Sequence, residues 1–287
     1  MYEQHFGLDE LPFALTPNTH YFLNLPTHQE ALNLILVALE NGDGFVKIVG
    51  EVGAGKTLLC RKLLNAIDTR YLSAYIPNPY LSPDDLRRSF ARELGVDLDG
   101  LNGSFDLLER LNQRLVELAA DGRRVVLLVD EAQAMPEETI EALRLLTNLE
   151  TEKRKLLQVV LFGQPELDRK LASESIRQLR QRITFQCALC GLHKDEIGAY
   201  VEHRLAIAGR VGGPLFDAGA LRALHRASRG VPRLVNILAH KALLLVFGEG
   251  GRCASRRHVH AAAVDTPAAA PVSVWWWPRL RATRAAD

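Results

Sequence analysis

One octapeptide constrains this chain more than any other stretch. Gly50-Glu51-Val52-Gly53-Ala54-Gly55-Lys56-Thr57 follows an apolar run, Phe45 to Val49, and leads into a helical pattern from Leu58 to Leu64. It has the G-x-x-x-x-G-K-[ST] form in the strand-before, helix-after setting that gives the form its meaning. The glycines let successive backbone N–H groups face inward around phosphate oxygens, and the helix N-terminus adds the positive end of its dipole. Gly50, Glu51, Val52, Gly53, Ala54, Gly55, Lys56, Thr57 and Leu58 are the phosphate-binding residues this predicts. Lys56 reaches the terminal phosphates, and the Thr57 hydroxyl is placed to ligate magnesium.

Such a loop needs a sheet to carry it. Apolar runs recur between helical patterns at Phe45 to Val49, Tyr71 to Ile76, Val125 to Val129, Leu156 to Phe162 and Ile183 to Cys187. Their continuous apolar character predicts a five-stranded parallel sheet covered by helices on both faces. Ser82 before Pro83 is a helix start, and Ser104 opens a stripe through Phe105, Leu108, Leu111, Leu115 and Leu118. Pro136 opens the helix that carries Ile140, Leu143, Leu146 and Leu149. From about residue 192 strands give way to three helical patterns, Lys194 to Ala208, Asp217 to Ser228 and Val231 to Phe247, with glycines between them. The expected organisation is a nucleotide-binding α/β domain over 1–190, a small all-helical lid over 191–265, and a tail over 266–287.

Gripping phosphate is not hydrolysis, which also needs a metal ligand and a water-activating group. Val125 to Val129 runs into Asp130-Glu131, which puts two carboxylates at the C-terminal edge of a parallel strand, where such sheets bind ligands. Asp130 is the second expected magnesium ligand, and Glu131 the group that orients or deprotonates the attacking water. Gln164, after the fourth run, lies at the same edge and is placed for the water or the terminal phosphate; a turn-forming polar residue is the other reading. Asn78, after the second run, either hydrogen-bonds Glu131 and restrains it or forms an ordinary Asn-Pro turn. Charge developing on the transferred phosphoryl group calls for further donors. Arg180 and Arg182, entering the last strand, and Arg233, opening a helix of the second domain, are the candidates, with a solvated basic face as the alternative for the first two and a surface helix start for Arg233.

Bulk properties narrow the field. With 35 Lys plus Arg against 34 Asp plus Glu, the net charge of +1 makes no global case for nucleic acid or membrane. No apolar run reaches the roughly 18 residues of a membrane span, and the acidic opening (Glu3, Asp9, Glu10) is not that of a signal peptide. Cytoplasmic residence is expected. Cys60, Cys187, Cys190 and Cys253 do not make a disulfide scaffold; Cys187-x-x-Cys190 lacks the second pair of a metal site and reads as buried free thiols. The end of the chain, with Trp275, Trp276, Trp277, Arg279, Arg281 and Arg284, reads as a flexible tail, with a membrane interface or partner groove as the other readings.

Together these residues resemble AAA+ ATPases, and within them the bacterial ExeA/GspA-like group of secretion ATPases. The resemblance covers roughly residues 1 to 265. It rests on His5-Phe6-Gly7-Leu8, Pro12-Phe13, Thr16-Pro17-Asn18, the phosphate loop, Asp130-Glu131-Ala132-Gln133, Gly163-Gln164-Pro165-Glu166-Leu167, Gln181-Arg182-Ile183 and Gly230-Val231-Pro232-Arg233-Leu234-Val235-Asn236. It implies ATP and Mg2+ as cofactors, hydrolysis to ADP and phosphate, Gln164 at the first sensor position and Arg233 at the second. Arg182, or as second choice Arg180, would complete a neighbouring subunit's site, which makes the working form a ring or dimer moving through core and lid. Secretion members carry a transmembrane segment and a peptidoglycan-binding domain after the lid, whereas this sequence stops at 287. Its length and its opening through His28-Gln29-Glu30-Ala31-Leu32 are closest to the branch serving the mannose-sensitive haemagglutinin (MSHA) type IV pilus. The implied role is an assembly ATPase for such a pilus or a related secretion system, acting from the cytoplasm or peripherally on the inner membrane through its partners or the Trp-rich tail. Two other classes remain. A transposition-type DNA helper would want a basic patch, for which only Arg252, Arg256, Arg257 and the tail arginines offer material. A nucleotide-gated scaffold with negligible turnover fits poorly with the intact Asp130-Glu131 pair.

Overall fold

The expected sheet is present and wholly parallel. In the computed structural model, which describes residues 2–16, 18–100, 103–149 and 155–271, it comprises β1 (Phe45–Gly50), β2 (Tyr71–Ile76), β3 (Arg124–Val129), β4 (Leu157–Gly163) and β5 (Ile183–Leu189). The spatial order is β2-β3-β4-β1-β5. After β1 the chain crosses to the far edge at β2 and returns strand by strand. Val49 therefore pairs with Gly163, and Leu161 with Val129. That reversal brings the segments following β1, β3 and β4 to one edge of the sheet, the position where parallel α/β sheets bind ligands.

Period-two alternation explains the continuous apolar runs, because both faces are covered. Phe45, Val125, Leu127, Val129, Val159 and Leu161 pack into one core, and Val46, Ile48, Val126, Leu128, Val160 and Phe162 into the other. Each such side chain contributes about 1.5–3 kcal/mol when fully buried. Lys47, the charged residue inside β1, pairs with Asp168.

The helices, in chain order, are α1 (Glu3–Phe6), α2 (Pro26–Asn41), α3 (Lys56–Ala66), α4 (Pro83–Glu93), α5 (Ser104–Ala120), α6 (Glu137–Leu146), α7 (Glu166–Leu171), α8 (Arg177–Arg180), α9 (Glu196–Ile207), α10 (Ala218–Ser228), α11 (Pro232–Gly248) and α12 (Arg256–Val264). The Ser82 hydroxyl accepts from Asp85 N–H at 3.2 Å and caps α4 ahead of its first-turn proline. The α5 stripe differs from the sequence reading. Leu107, Leu111, Leu115 and Leu118 are its buried face, while Phe105 is 77 % exposed and Leu108 only partly buried. Starting the helix at Ser104 sets the phase by the leucines four apart, and Phe105 falls on the solvent side.

By internal contacts the chain divides into two units. One holds residues 15–191 with Val231–Arg233, and so the whole sheet. The other holds α9, α10, most of α11, α12 and the described residues up to Ala14. The first fourteen residues, expected to open the nucleotide-binding domain, thus pack with the helical unit. Asp9 N–H donates to Ala208 O at 2.8 Å, the buried Arg204 guanidinium donates to Pro12 O at 2.6 Å and to Ala14 O at 3.3 Å, and the Tyr2 hydroxyl meets His240 Nδ1 at 2.9 Å. Helix α12 is an addition to the three helical patterns expected here. It opens on a capping box between Ser255 and His258 and packs on α10.

All four cysteines are free thiols. Cys60 is fully buried, which raises its pKa, but Cys187 is half-buried and Cys190 and Cys253 are exposed. The buried-thiol reading of Cys190 therefore does not hold. Its position just past the end of β5 leaves it without a covering helix. Trp275, Trp276 and Trp277 lie outside the described residues.

Candidate functional site

Gly50 ends β1, and the loop turns at Gly53 and Gly55, whose φ angles of +83° and +99° lie in the left-handed region. Gly55 is the N-cap of α3 and has no side chain to satisfy the first N–H groups of the helix. Those donors are left for an anion. Lys56 is 4 % exposed, and its ammonium donates to Gly50 O at 2.8 Å and Glu51 O at 3.1 Å, closing the loop into a bowl. Burial lowers the Lys56 pKa, and the carboxylates of Glu131, Asp130, Glu51 and Glu166 oppose that shift.

Beside Lys56 the Thr57 hydroxyl donates to Asp130 Oδ2 at 2.7 Å, while Asp130 Oδ1 accepts from Glu131 N–H at 2.9 Å. Asp130 is 3 % exposed, and burial raises its pKa against the two hydrogen bonds that favour its charged form. A buried carboxylate next to a hydroxyl is a pair of oxygen ligands that a hard divalent cation suits. Among the described residues no group of three or more His, Cys, Asp or Glu side chains forms a metal site. The fit is therefore to a magnesium ion that takes one or two protein ligands and the rest from phosphate and water.

Among the described residues Glu131 is one of two non-glycine residues with positive φ, at +51°. Left-handed backbone at such a residue costs of order 1–3 kcal/mol and persists where surroundings enforce it. Here the enforcing groups are two amides. Gln133 Nε2 donates to Glu131 Oε2 at 2.5 Å, Gln164 Nε2 donates to the same oxygen at 2.9 Å, and Gln133 Oε1 accepts from Gln164 N–H at 2.9 Å. The triangle links the ends of β3 and β4. Lys170 of α7 ties it down through Gln133 O at 2.7 Å and Met135 O at 2.5 Å.

Arg233 reaches the loop by its backbone. Its N–H donates to Gly53 O at 3.3 Å, and a Cβ added at Gly53 would stand 2.4 Å from Arg233 Cβ, so only glycine lets the two segments approach. One other expectation is corrected. Asn78 does not bond Glu131; it is exposed and its Oδ1 accepts from Tyr80 N–H at 3.3 Å, a local turn set up by the following proline, and Glu131 is held by Gln133 and Gln164 instead. Arg182 is half-buried and donates to Arg144 O at 3.4 Å and Thr147 Oγ1 at 3.2 Å, so it caps the C-terminus of α6. Arg180 is exposed beside an open polar groove with Lys47, Asp168, Thr184 and Gln186.

Three residues at the site have no role in the sequence reading. Gln133 stands two places after Glu131, inside the quoted Asp-Glu-Ala-Gln stretch, and only the left-handed turn at Glu131 brings it back on the carboxylate. Tyr75 of β2 has its hydroxyl pKa pushed up to about 12 by burial and by the charge of the Asp130 carboxylate. His28 of α2 contacts Ala54 O at 3.1 Å. Neither Tyr75 nor His28 has a local sequence signal, since each reaches the site from a different element.

The fold and this site define a P-loop nucleotide-binding core. A family model described as an AAA domain matches residues 39–171. Over 278 residues the chain is 43 % identical to General secretion pathway protein A of Aeromonas hydrophila, an alignment covering 96 % of this chain and 50 % of that protein. The chain spans about half the length of that curated relative. Among solved structures, Cdc6p from Pyrobaculum aerophilum superposes with a TM-score of 0.66 at 18 % identity, covering 88 % of this chain and 70 % of that one. RuvB of Thermotoga maritima gives 0.56 at 15 % identity, covering 88 % and 73 %. At these identities the structural likeness speaks for the fold.

Proposed function

We propose that this chain is an ATP-hydrolysing assembly factor of the secretion type, and within that type one serving a type IV pilus of the MSHA kind in the manner of MshM. The observation that carries the ATPase part is the Thr57–Asp130 hydrogen bond beside the buried Lys56, with Glu131 poised next to it. The similarity to General secretion pathway protein A supports the secretion part. In this reading Lys56 and the loop N–H groups hold the β- and γ-phosphates, and Thr57 and Asp130 hold magnesium, which neutralises charge on the phosphate oxygens when bound. Glu131 accepts the proton of the attacking water or orients it. Gln133 and Gln164 occupy the same Glu131 oxygen and so keep the carboxylate restrained until a terminal phosphate draws Gln164 away. Arg233 supplies charge to the γ-phosphate, and Arg180, free where Arg182 is tied, completes a neighbour's site. Oligomerisation, partners at the inner membrane and a cytoplasmic place of action follow from the same reading. Among the described residues no helix is long and apolar enough to cross a membrane.

The test is magnesium-dependent ATP turnover per subunit over a range of protein concentrations, with Glu131→Gln as the blank and Lys56→Ala as the binding control. Turnover that rises with concentration, absent in Glu131→Gln while ATP binding persists, is the expected result. Equal turnover in Glu131→Gln and wild type sinks the assignment of Glu131. Pilus and secretion roles separate in a strain lacking the gene, by which of surface pilin and exported protein is lost.

A second reading, action on DNA, draws on the helical unit. His260 of α12 is held below the ordinary imidazole range first by burial and then by the charges of Arg256 and Arg226, and Arg222 lies one turn from Arg226 on α10. Clustered cations suit a phosphate backbone. Salt-sensitive DNA retention that is lost when these arginines become glutamate would favour it; no retention at low salt removes it.

A further inference from the structure

His28 stands beneath the phosphate loop and is 6 % exposed. Its Nε2 lies 3.1 Å from Ala54 O; a carbonyl only accepts, so Nε2 carries the hydrogen. The ring is held by Phe22, edge-to-face at 5.7 Å and 87°, and Phe22 in turn carries the Lys62 ammonium 5.0 Å from its centroid. A Cβ added at Gly55 would stand 2.9 Å from the same Nε2. The imidazole therefore packs directly against the Ala54–Gly55 peptide.

That peptide is planar and trans, with its C=O and N–H pointing in opposite directions. Holding the Ala54 carbonyl toward His28 turns the Gly55 N–H to the other side of the chain, away from His28. Gly55, with φ of +99° and no side chain, is also where such a peptide flips most easily. A flip would present a carbonyl oxygen to the phosphates in place of a donor. We propose that His28 is a positioning residue, one that fixes the Ala54–Gly55 peptide so that the Gly55 N–H is aimed at a phosphate oxygen before the nucleotide arrives. It touches no reacting atom. Its contribution is preorganisation of the anion site.

The proposal rests on the nucleotide-binding reading, and the experiment separates the two. His28→Gln places an amide nitrogen at the reach of Nε2, whereas His28→Asn places the same amide one methylene short. Dissociation constants for Mg–ADP are measured by titration calorimetry, with the melting temperature of the nucleotide-free protein beside them. The expected result is affinity within about twofold of wild type for Gln and about tenfold weaker for Asn, the size of one hydrogen bond to a charged group, at equal melting temperatures. Equal affinities for Gln and Asn, or a loss that follows the melting temperature, overturn the role of His28. Failure of the wild type to bind Mg–ADP overturns the nucleotide reading instead. Should both variants fail to fold, nitrogen NMR of His28 in the wild-type protein decides. Hydrogen on Nε2 with a resonance that moves on adding Mg–ADP is expected, and hydrogen on Nδ1 alone, or an unmoved resonance, overturns the proposal.

Discussion

Glu131 shows how one residue is made ready by its neighbours. A glutamate in left-handed backbone is uncommon, and the two amides on its Oε2 offset the cost of that conformation. If Gln164 orients the terminal phosphate or the water, Gln164→Ala lowers steady-state turnover by about tenfold to a hundredfold, while ADP affinity stays within about threefold. Asn78→Ala leaves turnover within about twofold of wild type, because that side chain serves a local turn. Turnover at saturating ATP checks both, and a large loss in Asn78→Ala would reinstate it as the partner of Glu131. At this scale the residues with a motif were legible: Lys56, Thr57 and Asp130 meet as their spacing implied. Gln133, Tyr75 and His28 were not, because their places depend on a backbone turn, a strand register and a helix approach, none of which a local pattern encodes.

At the scale of elements, the short connection from α8 into β5 decides which arginine is free. Arg182 enters β5 with its guanidinium on the carbonyl end of α6, where a cation is favoured by the dipole. Arg182→Ala should cost about 1–2 kcal/mol in urea unfolding, whereas Arg180→Ala leaves stability within about 0.5 kcal/mol of wild type. If Arg180 acts in trans, Arg180→Ala is inactive alone and regains turnover when mixed with Lys56→Ala, since each then supplies what the other lacks. No recovery on mixing overturns the trans role. The sequence pattern was clearest for the buried strands, whose ends it places within two residues because both faces are apolar. It missed α12, whose buried face is His258, Val259, Ala262 and Ala263, a histidine, a valine and two alanines that do not stand out as an apolar stripe. It also mistook the phase of α5, where Phe105 is hydrophobic without being core.

For the whole molecule, the notable fact is that the sheet unit interrupts the helical one. Arg204 carries much of the joint between the early and late parts of the chain, through Pro12 O and Ala14 O. Hydrogen bonds to a charged group contribute about 1.5–3 kcal/mol each. Arg204→Leu should therefore lower the melting temperature of the helical unit by several degrees and raise amide exchange over residues 9–14, with nucleotide affinity of the sheet unit unchanged; protection kept over 9–14 would show that apolar burial alone holds the segment. The interruption also shapes synthesis. Tyr2, Phe6 and Leu8 are made before the sheet unit, yet the surfaces that bury them are made after it. At about 5–20 residues per second the intervening stretch takes of the order of 10–40 s to translate. For that time a greasy segment waits without its cover while a sheet domain that is already able to fold is made, a window in which a nascent-chain chaperone has something to hold.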